Sequence, residues 1–375
     1  MRIAVLKERA EGETRVAATP ETVKKLSALG ATLAIEEGAG RHAAISDEAY
    51  RDAGGEVASA SAAVKNADMV LGVNAPRPDL LEGAKQGAWV IAMFNPFGQR
   101  DRIEAYAAAG LEALSMEFMP RITRAQSMDV LSSQSNLAGY KAVLAAADTY
   151  GRAFPMMMTA AGTVNAARVF VMGVGVAGLQ AIATAKRLGS QVSATDVRSA
   201  TKEQIQSLGA KPVFVDEVEG IEGEGSGGYA TEMSEEYRKA QAELVSAHIA
   251  RQDIVITTAL IPGKPAPRLV SDAQIATMKP GSVIFDLAVS QGGNVEGSVA
   301  DRIVDRHGVR IMGYSNTPGH LPADASALYS RNLFNFLNAF WDNETGRPVL
   351  DEEIGEAVRL TRDGRIVNDR LTGAA

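Results

Sequence analysis

Between residues 167 and 196 the chain reads Ala167-Arg168-Val169-Phe170-Val171-Met172, then Gly173-Val174-Gly175-Val176-Ala177-Gly178, then an Ala-, Leu- and Ile-rich run to Leu188, then Gln191 to Thr195 closed by Asp196. The first apolar run predicts a buried strand, Leu179 to Leu188 a helix, and Gln191 to Thr195 a second strand. Gly173 permits the tight turn between strand and helix. Gly175 lets the backbone approach a pyrophosphate that a Cβ would strike, and Gly178 lets the helix lie close on the strand. The helix N-terminus then offers unpaired N–H groups to phosphates. Spaced glycines alone also mark ordinary turns; with a strand before, a helix after and an acid at the right distance, they form a dinucleotide-binding fingerprint.

Asp196 adds a preference within that class. A carboxylate at the end of the second strand can accept both ribose hydroxyls of an adenosine. It would oppose a 2′-phosphate, at about 4 kcal/mol for a partly screened charge pair ~4 Å apart. This favours NAD(H) over NADP(H). Arg198 complicates the reading, because an arginine there can meet a 2′-phosphate; its other uses are solvation or pairing with a neighbouring acid. A helix N-cap is the alternative role for Asp196.

The chain has 375 residues, enough for two domains, and 46% hydrophobic against 22% charged residues provides for large cores. A net charge of -7 argues against nucleic acid as a partner. No cysteine is present, which excludes disulfides, thiolate zinc sites and a cysteine nucleophile. The four histidines, His42, His248, His307 and His320, are not spaced as metal ligands, so no metal site is expected. Met1 to Leu6 reads directly as a strand, so no signal peptide is expected. The charge-free runs Ala153 to Ala167 and Val169 to Ala185 fall short of the ~20 apolar residues of a membrane span.

Along the chain, apolar strands are expected at Arg2 to Leu6, Leu33 to Glu36, Asp68 to Val73, Ala88 to Phe94 and Leu111 to Met116, with helices between them. Thr19-Pro20-Glu21 opens the first helix, whose buried face carries Val23, Leu26 and Leu29, and Gly30 ends it. Asn136 to Arg152 predicts a long helix bridging to a second domain, which continues with strands near Lys211 to Val215, Asp253 to Thr258, Val283 to Leu287 and Arg310 to Gly313. A second long helix, Ala325 to Trp341, returns to the first domain. This alternation is a doubly wound α/β pattern. It gives a discontinuous first domain, residues 1–135 plus 325–375, and a nucleotide domain at 136–324. The loop Glu217 to Gly228, ending at Tyr229, is rich in glycine and acid. It reads as a lid whose tyrosine packs on the cofactor, or as a plain surface excursion.

The segment Arg121 to Asn136 is dense in polar side chains and precedes the bridging helix. Its Arg, Gln, Asp and Ser residues could orient a nicotinamide amide and its ribose; the alternative is a capping and salt-bridge cluster that stiffens a hinge. RAQSMDVLSSQSNLAGY, AFPMMMTAAGTV, GVGVAGLQAIATAKRLG, TDVR, GGYA, TTALIPGKPAP and MKPGSVIFDLAV follow one another in order. Together they resemble the soluble NAD(H)-binding component, the alpha-1 subunit, of proton-translocating NAD(P) transhydrogenases. The resemblance implies two Rossmann-like, doubly wound parallel-sheet domains joined by long helices, a homodimer, and NAD(H) in the cleft of the second domain. It implies docking onto a partner subunit that carries NADP(H), and through membrane-spanning subunits a cytoplasmic position peripheral to the inner membrane. It maps the nicotinamide-side, catalytic loop onto Arg121, Gln126, Asp129 and Ser132, the ribose acid onto Asp196, and the mobile-loop tyrosine onto Tyr229.

Two other readings compete. Alanine dehydrogenase is similar in its opening, Lys7-Glu8 followed by Glu13-Thr14-Arg15-Val16-Ala17 and Thr19-Pro20. Amino-acid oxidation moves protons as well as a hydride and needs a general acid/base. The resemblance places that enzyme's Lys and His at two strand ends that here read Val73-Asn74 and Phe94-Asn95. Hydride transfer between two nicotinamides has no such need and is expected to work by positioning alone. The third reading is a non-catalytic NAD-sensing module, against which the polar segment weighs.

Overall fold

The computed structural model describes residues 1–215, 235–261 and 263–373. They form two compact units, Met1–Gln134 with Gly319–Ala375, and Ser135–Pro318.

The first unit is built on strands β1 (Arg2–Val5), β2 (Thr32–Glu36), β3 (Glu56–Ala58), β4 (Met69–Asn74), β5 (Trp89–Met93) and β6 (Glu112–Ser115), with helices α1 (Pro20–Ala28), α2 (Asp47–Asp52), α3 (Ala60–Val64) and α4 (Arg100–Ala108) between them. All strands pair in parallel, in the order β3-β2-β1-β4-β5-β6. The order reverses between β1 and β4, so their carboxyl ends flank a switch point. Both faces of the sheet are buried, which is why its strands read as near-continuous apolar runs. Ile3 and Val5 pack on one side with Leu33 and Ile35, while Ala4 packs on the other with Val70, Val90 and Tyr106. At the start of α1, Thr19 and Thr22 make a reciprocal capping box and Pro20 needs no N–H partner.

Helix α5 (Val130–Tyr150) carries the chain onward. It starts earlier than the apolar pattern suggests, because Asp129 accepts the Ser132 N–H at 3.0 Å and closes the first turn. Its end comes at Gly151, whose φ of 69° terminates the helix. A hairpin of β7 (Met157–Thr159) and β8 (Gly162–Val164) follows.

The second unit then repeats the first topology. Its elements are β9 (Arg168–Met172), α6 (Val176–Arg187), β10 (Gln191–Thr195), α7 (Thr201–Ser207), β11 (Lys211–Pro212), α8 (Glu235–Ile249), β12 (Ile254–Thr257), α9 (Asp272–Ile275), β13 (Val283–Asp286), β14 (Val304–Arg306) and β15 (Val309–Met312). The order is β11-β10-β9-β12-β13-β15-β14, all parallel except the edge hairpin of β14 with β15. Val169 and Val171 pack against α6 residues Ala181, Ile182 and Ala185, while Phe170 and Met172 face the opposite core with Val255 and Ile284. This period of two fixes which side of β9 each helix covers. The last long helix, α10 (Pro322–Ala339), lies in the first unit and buries Tyr329, Leu333, Phe336 and Leu337 in its core. Two doubly wound parallel sheets thus account for the architecture.

Candidate functional site: the glycine turn and the carboxylate of the second unit

Met172 ends β9 and the chain turns at Gly173, whose φ of 98° lies in a region that L side chains rarely adopt. Thr258, just beyond β12, donates its hydroxyl to the Gly173 carbonyl at 3.0 Å and pins the turn. Helix α6 begins at Val176 rather than at Leu179, because the Gly175 carbonyl already accepts the Leu179 N–H at 2.9 Å. Gly175 is therefore the N-cap, and it has no side chain to satisfy the first-turn N–H groups. It is exposed, as is Val176, and a Cβ built on Gly175 meets no atom within 4 Å. Open space over uncapped N–H groups at a switch point is what an anionic pyrophosphate requires.

The other glycines have packing duties. A Cβ on Gly178 would stand 1.9 Å from the Gly173 carbonyl oxygen, so this residue sets how closely α6 lies on the turn. Gly139 of α5, which sequence reasoning missed, does the same from the other side: its Cβ would stand 2.1 Å from the Ala177 oxygen. A glycine inside a helix costs stability relative to alanine, and that cost was the only signal available.

Asp196 follows β10 and is buried. It is not a helix N-cap, since α7 starts at Thr201 with Ala200 before it. Its carboxylate instead accepts the Val174 N–H at 2.6 Å and the Arg198 N–H at 2.9 Å, which holds it beside the glycine turn. Arg198 completes an ion pair through Nε at 2.9 Å and Nη2 at 3.0 Å. Burial works against the charged form of Asp196, but the Arg198 and backbone bonds outweigh it and hold its pKa below the usual value. Tyr229 and the Glu217 to Gly228 loop lie outside the described residues.

In the first unit, the polar segment takes the form of a short 3-10 helix, Thr123–Met128, running into α5. Asp129 and Ser132 are joined, with the Ser132 hydroxyl 2.5 Å from the Asp129 carboxylate. Arg121 and Gln126 are exposed, whereas Ala125 and Met128 are buried anchors. Asn332 and Asn335 of α10 donate to the Ser127 carbonyl at 2.8 and 3.0 Å, and Arg124 pairs with Asp351 and Glu353. The segment is thus rigidly mounted with Gln126 on its outer side.

The strand ends at Asn74 and Asn95 hold groups that spacing could not reveal. Glu8 accepts the N–H groups of Val73 at 2.6 Å and Asn74 at 3.2 Å; Glu117 accepts those of Phe94 and Asn95, each at 2.7 Å. Arg15, read as a possible clamp for a substrate carboxylate, is buried and takes Glu13 in a bidentate pair at 2.7 and 2.8 Å. Burial raises the Glu8 pKa from 4.5 to about 7, partly offset by the Val73 N–H, with Glu13 adding to the rise. A carboxyl raised in this way stabilises the fold while protonated. Its contribution is complete below the unfolded value and is lost as pH climbs toward the folded one, on the order of 3 kcal/mol in all. Glu8→Gln is therefore expected to flatten the fall in melting temperature between about pH 5 and about pH 8 relative to wild type. Parallel melting profiles for the two proteins would contradict this.

Comparison with known proteins follows the same two-part division. Family models described as the N-terminal and C-terminal domains of alanine dehydrogenase/PNT match residues 4–138 and 142–369. The chain is 52% identical over 381 residues to a Rhodospirillum rubrum protein named as the first part of NAD(P) transhydrogenase subunit alpha, covering 100% of this chain and 99% of that protein. A solved structure of transhydrogenase from Sinorhizobium meliloti superimposes with a TM-score of 0.90 at 50% identity, covering 98% of this chain and 100% of that one. Alanine dehydrogenase of Bacillus subtilis is more distant, 28% identical over 86% of this chain and 81% of that protein. Sequence, topology and glycine turn agree, and the chain belongs to the alanine dehydrogenase/PNT family.

Proposed function

We propose that this chain is the NAD(H)-binding component of a proton-translocating NAD(P) transhydrogenase, which passes a hydride between NADH and NADP+ held on a partner subunit. The observation that carries the reading is the uncapped Gly175 turn with buried Asp196 pinned beside it, in a chain 52% identical to a transhydrogenase alpha-subunit protein. In it, Gly173, Gly175, Val176 and Gly178 seat the pyrophosphate and Asp196 takes the adenosine ribose. Arg121, Gln126, Asp129 and Ser132 serve the nicotinamide side, and Tyr229 is assigned to cofactor binding. Bound NADH supplies the hydride; the protein supplies position and excludes water. Among the described residues no helix is long and apolar enough to cross a membrane, so in this reading proton movement belongs to membrane-spanning partners. The homodimer belongs to the same proposal. Met156, Met157 and Met158, exposed by 61%, 43% and 80% on and beside the β7–β8 hairpin, support it as an apolar patch suited to a second copy.

Gln126 provides the test. It is exposed on a rigid mount, so Gln126→Asn shortens its reach without disturbing the core. The variant is expected to melt and bind NADH like wild type, yet to transfer hydride more slowly by up to ~10²-fold, the sensitivity of such chemistry to ~1 Å of misplacement. Single-turnover mixing with an NADP+-loaded partner subunit measures it. An unchanged rate would return Gln126 to a purely structural role.

A further inference from the structure

Resting on the NAD(H) reading of Asp196, we propose that Arg198 is the resident occupant of the adenosine-ribose seat. It holds both Asp196 oxygens until the 2′- and 3′-hydroxyls of NADH displace its guanidinium, and thereby sets how tightly and how selectively the seat is filled.

A carboxylate offers about four lone-pair directions. At Asp196 four donors take them: the N–H groups of Val174 and Arg198, and Nε and Nη2 of the Arg198 side chain. A ribose diol that donates to this carboxylate must therefore displace donors already there. The two backbone donors are fixed by the glycine turn and by the chain direction after β10. The two guanidinium donors sit on one rotatable side chain, 20% exposed against 7% for Asp196, so they can leave toward solvent. Two guanidinium N–H groups leave and two ribose O–H groups enter, while the backbone pair keeps the carboxylate aimed.

The exchange affects both affinity and selectivity. NADH binds less tightly than it would to a vacant Asp196, because an ion pair must first be broken. The displaced guanidinium, tethered at residue 198, also remains the nearby cation for a 2′-phosphate, so the repulsion of NADPH by Asp196 is partly offset. Arginine makes both effects strong because its planar fork matches the carboxylate bidentately, which lysine cannot do.

Arg198→Met, of similar length and without charge, is expected to tighten NADH by about 1.5- to 5-fold, the range for a partly exposed ion pair. It should weaken NADPH and so widen the ratio of the two affinities, with Arg198→Lys falling between. The exchange also predicts coupling: removing the 2′-hydroxyl, with 2′-deoxy-NADH as probe, should cost more affinity in Arg198→Met than in wild type. Calorimetric titration of the three proteins with the three nucleotides tests this, with thermal melts to confirm folding. If Arg198→Met or Arg198→Lys, once folded, binds NADH no better than wild type, or if the 2′-deoxy penalty is equal in both, Arg198 is a ligand or scaffold residue and the proposal falls. If wild type binds neither NADH nor ADP-ribose, the nucleotide reading itself has failed.

Discussion

Gly175→Ala is expected to fold like wild type and to lose about a hundredfold in NADH affinity, whereas Gly178→Ala loses both affinity and stability. The two glycines stand three residues apart, yet their surroundings differ. Gly175 has φ −81° and ψ −165°, a conformation open to alanine, and its Cβ would meet no protein atom within 4 Å. The space it leaves is the space the nucleotide reading assigns to the pyrophosphate. A methyl group there removes the approach that brings phosphate oxygens onto the N–H groups of α6, bonds worth about 1.5–3 kcal/mol each when one partner is charged. At Gly178 the same methyl would lie 1.9 Å from a backbone oxygen that Thr258 holds in place. Helix α6 must then move off the turn, at about 1–3 kcal/mol for overpacking and several degrees of melting temperature. Differential scanning calorimetry and NADH titration separate the two. Equal melting temperatures for Gly178→Ala and wild type, or undiminished NADH binding by Gly175→Ala, would contradict the assignment.

Asp196→Ala should weaken NADH by about 10- to 100-fold and bring NADH and NADPH affinities close together. The variant removes the acceptor for the ribose hydroxyls and the charge that opposes a 2′-phosphate. It also strands the Val174 N–H and leaves Arg198 without its carboxylate, so NADPH should gain as NADH loses. The NADH loss stays within this range because the ribose hydroxyls exchange with Arg198 rather than fill an empty site. Titration of both nucleotides against wild type and variant reads out the ratio. A variant that keeps the wild-type preference for NADH would place selectivity elsewhere.

Much of this is legible in the sequence because it is local. Strand, glycines, helix and acid lie within 30 residues, and each glycine has a steric reason that needs no knowledge of the rest of the chain. The doubly wound pattern is equally readable, since strands buried on both faces appear as continuous apolar runs. Contacts across the fold are not. Glu8 meets Val73 and Asn74 after 65 and 66 residues, and Glu117 meets Phe94 and Asn95 after 23 and 22; no periodicity encodes either pairing. The start of α5 escapes the sequence for a different reason. Ser132, Ser133 and Gln134 look like a polar loop, but Asp129 caps them into a first helical turn. For Arg198 the sequence leaves solvent or a neighbouring acid open; Asp196, two residues away, is one acid it pairs with.

The proposed function requires direct hydride transfer from NADH on this chain to NADP+ on another. NADH carrying deuterium at its transferable C4 position, loaded on the purified chain and mixed with an NADP+-loaded partner subunit, tests it most directly. The deuterium is expected to appear in NADPH undiluted by solvent protons, and the chain alone is expected not to oxidise L-alanine with NAD+ above background. No deuterated NADPH, together with steady alanine-dependent reduction of NAD+ by the isolated chain, would contradict the claim.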